Sequence, residues 1–593
     1  MHQLTRLFDV IPHQLKNYSK QDMLAAKEQG AWKTYSTEDV ASIIQRFSSG
    51  LLQLGIGGTA LTPESQDKVA IISHNRPEWI LADLACQQVG AVLVPIYPTI
   101  SEPELVYVLN DAEARTLFVD NLDLYEKVQS QRDKLPALKE IYSFERIAGV
   151  KHWMDILAAA STTDVARIEA IKNTITADTL VTLIYTSGTT GTPKGVMLSH
   201  GNIMSNVEAC AAYLPVNENA RALSFLPLNH IFERMVTYVY LSAGVSVYYA
   251  ENMESISDNL KEVKPNIFTT VPRLLEKVYE KIMARGLALT GVQRAIFFWA
   301  VELGKQYEVN KQQGPWYNLQ LAIARRLVFS KWKEALGGQL ECIVTGAAAC
   351  QVRLLKIFTA AGISLLEGYG LTETSPVIAV NRKEEKDRMF GTVGPAISNV
   401  EVKLADDGEI LVKGPNVTMG YYKNPKLTAE TIQDGWFHTG DIGTLVQNKF
   451  LKITDRKKEL FKTSGGKFVA PQPIENKFKE SPYIEQIMVV GADRKFTGAL
   501  IVPNFSNLKE WARSQNVPFP SKEEALRDPK VKALYKQAVD KYNQFFNHIE
   551  QVKKFELMPG EWTVGGGELT PTLKLKRKAI ENKYQSAIEH IYA

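Results

Sequence analysis

The sequence predicts an α/β protein: a large N-terminal domain of parallel sheets covered by helices, with a β region attached, and a small α+β C-terminal domain. Three observations lead there. Strand-like and helix-like segments alternate over the first 370 residues, an order that suits parallel strands because each crossover between them needs a helix. From about residue 390 the alternation gives way to short strands separated by turn residues, as in a compact β region. Beyond Asp455 a basic stretch, DRKKELFKTSGGK, precedes a new mixture of strands and helices. A junction at that point gives domains of residues 1–455 and 456–593, and a chain of 593 residues exceeds what one hydrophobic core usually serves.

Taken in order, KVAIIS (68–73) and AVLVPI (91–96) are unbroken apolar runs of strand length on either side of RPEWILADLACQQVG (76–90), which has helical length. SEPELVYVLNDA (101–112) is a helix that Ser101 and Glu104 start with a capping box. LVTLIY (180–185) is a strand entering a polar loop, and GVMLS (195–199) continues as another strand. MVTYVYLSAGVSVYYA (235–250) is the longest uncharged run, too short for a membrane span and interrupted by Gly244, so it reads as a buried helix followed by a strand. In LQLAIARRLVFSKWKEAL (319–336) apolar residues recur at helical spacing beside Arg325, Arg326, Lys331 and Lys333. That pattern fits an ordinary solvated helix face, with a peripheral membrane contact as the alternative. NVEVKL (399–404), GEILVKG (408–414) and KFLKIT (449–454) are the short strands of the β region.

Composition narrows the functional classes. Apolar content of 45% with 23% charge is that of a folded globular chain, and a net charge of +4 argues against bulk nucleic-acid binding. The four cysteines form no CxxC pair and the nine histidines show no close metal-ligand spacing, which points to a reducing compartment and no structural metal. No long apolar stretch follows basic residues at the N-terminus, so a cytoplasmic location is expected, with peripheral attachment at the inner membrane face as the variant.

The segment YTSGTTGTPKGV (185–196) surrounds Lys194 with hydroxyls and glycines. Gly188 and Gly191 allow positive φ and a close approach of backbone to ligand, and Thr186, Ser187, Thr189, Thr190 and Thr192 add donors, so a phosphate would fit. The Walker pattern fails because Pro193 precedes Lys194 and a strand follows, so amides and hydroxyls rather than a helix dipole would hold the anion. A flexible Gly/Thr turn is the plain alternative. YGLTET (369–374) offers Tyr369 to stack on a base and Glu373 to ligate Mg²⁺ between phosphates, and GWFHTGD (435–441) ends in Asp441, an acceptor suited to two ribose hydroxyls. Each alone is a common turn. In GGGELTPTLKLKRKAI (565–580), Lys574, Lys576, Arg577 and Lys578 would ordinarily be a solvated helix face.

Together the segments resemble one family. YTSGTTGTPKGV, LPLNHIFERM, TGAAA, LEGYGLTET, GEILVKGPNVTMGYY, GWFHTGD, DRKKELFKTSGGK and TLKLKR, in this order and spanning about residues 35–577, are similar to the motifs of the adenylate-forming acyl-CoA synthetases. LPLNHIFER, TTVPRLLEKVYEKI, DRKKEL with TSGGK and the long helical segment between 271 and 340 resemble the long-chain fatty acid–CoA ligases of that superfamily. Two departures from the wider superfamily, the missing glycine before Lys574 and a lysine where the acetate-activating branch has aspartate after Arg456 and Lys457, agree with the long-chain subgroup.

The resemblance implies ATP-dependent activation of a long-chain fatty acid through an acyl-adenylate, with Mg²⁺ as cofactor and CoA as the acceptor. It implies that Thr186, Ser187, Gly188, Thr189, Thr190, Gly191 and Lys194 hold the β- and γ-phosphates. Glu373 and Thr186 would serve the metal, and Tyr369, Gly370 and Thr372 with Gly346, Ala347 and Ala348 would form the adenine pocket. Asp441 and Arg456 would take the ribose, His230 would sit beside the acyl carboxylate, and Lys574 would bridge that carboxylate and the α-phosphate. Lys458 matches the hinge of a mobile C-terminal domain, with Ser464, Gly465 and Gly466 at the pantetheine arm of CoA. The partners so implied are the fatty acid, ATP and CoA, with no nucleic acid, and a homodimer stays open. Each buried methylene contributes about 0.8 kcal/mol, so four extra carbons give about a hundredfold preference. YVYLSAG (238–244) and FFWAVELG (297–304) are candidate tunnel segments, or plain core. Transfer to a carrier protein instead of CoA, and nucleotide-gated fatty-acid binding or uptake without catalysis, are the rival readings.

Overall fold

A computed structural model describes residues 4–161, 163–187, 192–570 and 573–593. Two eight-stranded sheets dominate it. In the first, Leu180–Ser187, Val92–Ile96, Lys68–Ile72, Thr116–Val119, Glu140–Ser143 and Lys151–His152 run parallel, and Pro193–Ser199 and Gly420–Tyr421 extend one edge antiparallel. Lys68–Ile72 and Val92–Ile96 are buried along their whole length. That explains why they appear as continuous apolar runs rather than alternating ones.

The second sheet has the order Val377–Val380, Ser364–Gly370, Cys342–Thr345, Ile267–Thr270, Arg221–Ser224, Ser246–Tyr249, Leu24–Glu28 and Ala31–Tyr35, parallel except at its two edges. One apolar core, including Val69, Ile71 and Leu93 of the first sheet and Leu24, Ala222 and Val247 of the second, serves both. The helices Pro77–Gln88 and Ile231–Ser242 contribute to it and meet through a fully buried ion pair, Arg234 to Asp83 at 2.5 Å, to which the Tyr238 hydroxyl adds a bond at 2.7 Å. A pair so deep is tolerated only when well hydrogen-bonded, and it fixes how the two helices sit. Tyr238, in the candidate tunnel segment, is thereby committed to structure. Phe297, Ala300 and Val301 of the other segment are likewise buried in a neighbouring apolar cluster.

A five-stranded antiparallel sheet follows, built from Glu401–Leu404, Glu409–Lys413, Trp436–Val446, Ile432–Gln433 and Phe450–Arg456. Its last strand includes Arg456, so the boundary expected after Asp455 falls one residue inside a strand. Further on, Ile484–Val490 and Gly498–Pro503 pair antiparallel, and Lys554–Leu557 joins parallel. Alternate residues of these strands feed two clusters, Ile487, Val489 and Ile501 in one and Met488, Val490, Leu500 and Val502 in the other, so this small sheet is covered on both faces.

Two local expectations change in detail. Ser101 caps Glu102–Asp111 by accepting the Glu104 N–H at 3.4 Å, but the Glu104 carboxylate accepts the Ser101 hydroxyl at 2.9 Å rather than its backbone N–H. The helix expected over 319–336 is Pro315–Ala324, a π-helical turn Arg325–Phe329 and Ser330–Ala335.

Candidate active site

Ligands of open parallel sheets bind beyond the carboxyl ends of the strands. In the second sheet His230 follows Arg221–Ser224, Gly346 follows Cys342–Thr345, and Tyr369 lies at the end of Ser364–Gly370. Gly346 is buried and its N–H donates to Thr270 O at 3.3 Å; Ala347 takes a left-handed φ of 68°, and Ala348 is exposed. At Gly370 a Cβ would stand 1.8 Å from the Pro376 carbonyl oxygen, so only glycine lets the chain turn here into the short helix Thr372–Thr374 that begins with Thr372 and presents Glu373.

The antiparallel sheet supplies the neighbouring wall. Asp441 and Arg456 are register partners on adjacent strands, with Arg456 Nε 3.7 Å from Asp441 Oδ1. The Tyr369 hydroxyl donates to Asp441 Oδ2 at 2.6 Å. Burial pushes the Asp441 carboxyl up from its ordinary value, against the opposing pull of Arg456, Tyr369 and Lys574. Strand pairing and this hydrogen bond thus join residues from three separate motifs.

On the other side, Leu180–Ser187 and Pro193–Ser199 form a hairpin in which Thr186 stands opposite Lys194 and Ser187 opposite Pro193. Gly188, Thr189, Thr190 and Gly191 lie outside the described residues. Lys194 Nζ stands 4.6 Å from the centre of the Tyr421 ring, and the Tyr421 hydroxyl donates to Glu373 Oε1 at 2.9 Å. Burial lowers the Lys194 ammonium, with Glu373 acting in the opposite sense. Tyr421, which connects the expected phosphate lysine to the expected metal carboxylate, was missed by residue-level reading. It lies inside the motif GEILVKGPNVTMGYY, and that was the available signal.

Lys574 comes from the C-terminal segment. Its backbone is held by Thr570, whose hydroxyl accepts the Lys574 N–H at 3.0 Å and whose N–H donates to Lys574 O at 2.8 Å. Among the described residues Nζ makes no hydrogen bond; the charges of Arg456, Asp441, Glu459 and Glu373 act on it through space, and desolvation lowers it to about 8. Its charge also reaches His230, which burial first and Lys574 second lower to about 4. His230 caps Ile231–Ser242: Nδ1 accepts the Phe232 N–H at 3.1 Å. The neutral imidazole therefore has its proton on Nε2, where it can donate. Lys574 thus lies within the electrostatic reach of Glu373, Asp441, Arg456 and His230, and the reading of the 574–578 run as one solvated face holds for Lys578, which is exposed, but not for Arg577. Arg577 is bound by Glu459 at 3.1 Å, Glu475 at 2.5 Å and Val489 O at 3.1 Å.

Contacts between the C-terminal segment and two helices of the preceding part of the chain, Pro272–Ala288 and Val352–Ala360, hold this placement. Arg273, in Pro272–Ala288, pairs with Glu485, and Arg353 Nη1 donates to Glu480 O at 2.9 Å. Lys458 is exposed, next to Lys457, whose ammonium pairs with Asp407 at 2.6 Å and Glu409 at 2.8 Å. Ser464, Gly465 and Gly466 form the exposed turn of the hairpin Phe461–Lys462 and Phe468–Val469; the Gly466 N–H donates to Thr463 O at 2.8 Å with φ at +73°. Among the described residues none of the contacts that gather around Lys574 involves this turn.

The donor set fits magnesium. Among the described residues Glu373 engages only Oε1, leaving its second oxygen, with the Thr186 hydroxyl on the facing hairpin, to an ion that takes its other ligands from phosphates and water. The chain belongs to the AMP-binding enzyme family, whose profile matches residues 12–422, and the profile of the AMP-binding enzyme C-terminal domain matches residues 459–593. It is 36% identical over 571 residues to Long-chain-fatty-acid–CoA ligase FadD15 of Mycobacterium bovis, covering 95% of this chain and 93% of that protein. It is 33% identical over 597 residues to Long-chain-fatty-acid–CoA ligase 1 of Homo sapiens, covering 95% and 82%. An anthranilate CoA ligase solved with anthranoyl-AMP shares the fold with a TM-score of 0.74 at 18% identity, covering 99% of each chain. A Mycobacterium tuberculosis fatty acyl CoA synthetase does so with a TM-score of 0.62 at 18% identity, also covering 99% of each.

Proposed function

We propose that this chain is a long-chain fatty acid–CoA ligase, using ATP, Mg²⁺ and CoA. The observation that supports it most is the desolvated Lys574 ammonium, without a hydrogen-bond partner among the described residues and within the electrostatic reach of Glu373, Asp441, Arg456 and His230. A cation in that condition suits an anion that arrives with the substrates.

The fatty acid carboxylate oxygen attacks the α-phosphorus of ATP; the new O–P bond forms as the bond to the β-phosphate oxygen breaks, and pyrophosphate leaves. In our reading Lys574 stabilises the charge that builds on the α-phosphate oxygens, and His230 donates Nε2–H to the acyl carboxylate. Asp441 and Arg456 receive the ribose, Tyr369, Gly370 and Thr372 with Gly346, Ala347 and Ala348 enclose the adenine, and Thr186, Ser187 and Lys194 lie along the outer phosphates. Glu373 and Thr186 would hold magnesium, which supplies charge neutralisation between the phosphates. The CoA thiolate then attacks the acyl carbon and AMP leaves with the bonding electrons. Lys574 would stand in the way of the thiol in this arrangement, so we read the segment beyond Lys458 as one that turns about that residue, leaving Arg456 with its strand, and exchanges Lys574 for the Ser464–Gly466 turn between the two steps.

A second proposal concerns attachment. On the helix Pro315–Ala324 and its π-helical continuation, Trp316, Leu319, Ile323 and Leu327 are 71%, 53%, 43% and 53% exposed, at spacings of three and four residues. Residues 309–333 contain Lys311, Arg325, Arg326, Lys331 and Lys333 and no acidic residue. An apolar stripe with cations beside it suits an anionic bilayer surface. Co-sedimentation with phosphatidylglycerol vesicles that Trp316→Ser with Leu319→Ser abolishes supports it; equal sedimentation of wild type and variant, or a dimer that hides the stripe, counts against it.

The activity is tested by mass spectrometry of products from Mg²⁺, ATP and a fatty acid series with and without CoA. Acyl-CoA with AMP, strongest for long acids, is expected. An acyl-adenylate that persists when CoA is added would favour a carrier-protein acceptor, and tight acid binding without AMP release would favour a binding protein.

A further inference from the structure

The helix that begins at His230 has a second ionisable side chain that the reaction above does not use. Glu233, in its first turn, is 1% exposed. Its Oε2 accepts the Thr269 hydroxyl, the Ser224 hydroxyl lies near enough to act on the carboxyl, and Oε1 has no partner among the described residues. These partners are not scattered. Ser224 is the register partner of Tyr249 on one side, and on the other Leu223 pairs with Phe268, so Tyr249, Ser224 and Thr269 fall in one row across three neighbouring parallel strands. Residues of one row share a face of the sheet, and here the carboxyl of Glu233 bonds to that face.

The row also reaches the approach to His230 by a second route. Asn75 Nδ2 donates to Ser224 Oγ at 3.1 Å, and its Oδ1 accepts the N–H of Leu228, two residues before His230, at 2.9 Å. The buried hydroxyls of Tyr240 and Tyr249 also have no partner among the described residues. Tyr240 stands seven residues after Glu233, on the same helix face. Both phenols are pushed well above their ordinary value, first by burial and next by the Glu233 charge, so both lie within its field. One orphaned polar atom is a local imperfection. Here three such atoms, Glu233 Oε1 and the two phenol oxygens, belong to neighbouring groups, and a buried water needs two to four polar partners.

We propose that Glu233 is a positioning residue for the acyl-carboxylate step: it ties the first turn of the His230 helix to the Tyr249–Ser224–Thr269 row, and ordered water bridges its Oε1 to the hydroxyls of Tyr240 and Tyr249. This rests on the reading of His230 as donor to the acyl carboxylate. The neutral carboxyl is the form that fits, since it donates from one oxygen toward the water and accepts at the other from Thr269. Burial pushes Glu233 up to about 7, opposed by the hydroxyls of Thr269 and Ser224. The other titratable groups around the cluster are Tyr240 and Tyr249, with Cys342 acting on the first and Glu78 on the second, and His230 at the start of the helix; the neighbouring Arg234 is turned to Asp83. None of the groups that act on Glu233 itself is a cation that would hold it ionised.

The test is a double-mutant cycle on adenylate formation, read as ATP–pyrophosphate exchange with palmitate in the full-length enzyme. Glu233→Ala is expected to lower the rate on the order of tenfold in the wild-type background and to add little in His230→Ala. Glu233→Gln keeps the shape and both hydrogen-bonding senses without ionising. It is expected to restore most of the rate and to hold it from pH 7 toward 8, where the wild type declines. Its thermal stability relative to wild type should rise between about pH 4.5 and 7, because the folded wild type retains a proton there that the unfolded chain has lost. Additive losses in the cycle, with His230→Ala itself impaired, would overturn this inference alone. An unimpaired His230→Ala would overturn the reading of His230 beneath it.

Discussion

The two halves of the proposed reaction centre are held in different ways. Asp441, Arg456 and Tyr369 are fixed by sheet register and a 2.6 Å hydrogen bond, within elements that pack into the large sheets. Lys574, opposite them, has bonds to its own loop through the backbone, and its ammonium is placed only by the way the C-terminal segment docks. In the proposed reading the first half is a standing platform and the second is the part that withdraws. A reaction that needs a cation in one step and an open approach in the next is served by this division.

Lys574→Ala attacks the withdrawable half and should have the largest effect. Pyrophosphate exchange is expected to fall by roughly a thousandfold, because the charge it meets develops in the transition state inside a desolvated site. Asp441→Asn attacks the platform. It removes an acceptor of ribose hydroxyls and the partner of Arg456, so KM for ATP should rise on the order of 10- to 100-fold, with Tyr369→Phe costing less since it removes one hydrogen bond.

The pH dependence separates the halves more finely. The cationic form of Lys574 is the active one, and the free enzyme holds it near 8. Accordingly kcat/KM for ATP should fall as pH rises through about 8, while kcat should hold to higher pH because bound phosphates favour the ammonium. Stability in the absence of ATP has the opposite slope. The folded chain binds fewer protons than the unfolded chain between about 8 and 10.5, so this residue makes the fold more stable as pH rises over that window. The smallest effect is expected from Arg273→Ala, which loosens the docking through a partly buried ion pair with Glu485. A few-fold slower adenylation with an unslowed thioester step is expected from single-turnover kinetics.

Much of this was legible in the sequence because it is local. The buried strands Lys68–Ile72 and Val92–Ile96 read directly as apolar runs, and the ordered motifs named nearly every residue of the platform. What stayed hidden depends on pairings between distant segments. Tyr421 meets Glu373 across 48 positions, and Glu233 lies between a helix and a strand row whose register no local pattern reveals. The reading of residues 574–578 as one solvated face failed for Arg577 because the tertiary fold supplies Glu459 and Glu475. The hinge and the CoA turn, Lys458 and Ser464–Gly466, came from motif likeness alone, and a single docked arrangement shows them exposed without showing their use.

The most direct test of the division between platform and withdrawable half is the second step taken by itself. Purified Lys574→Ala enzyme would be mixed with synthetic palmitoyl-adenylate and CoA, and palmitoyl-CoA followed over time by mass spectrometry. Thioester formation at close to the wild-type rate, from an enzyme that can no longer make the adenylate, is the predicted result. Loss of both steps to the same extent would contradict the account, for it would mean that Lys574 serves the whole site and need not leave.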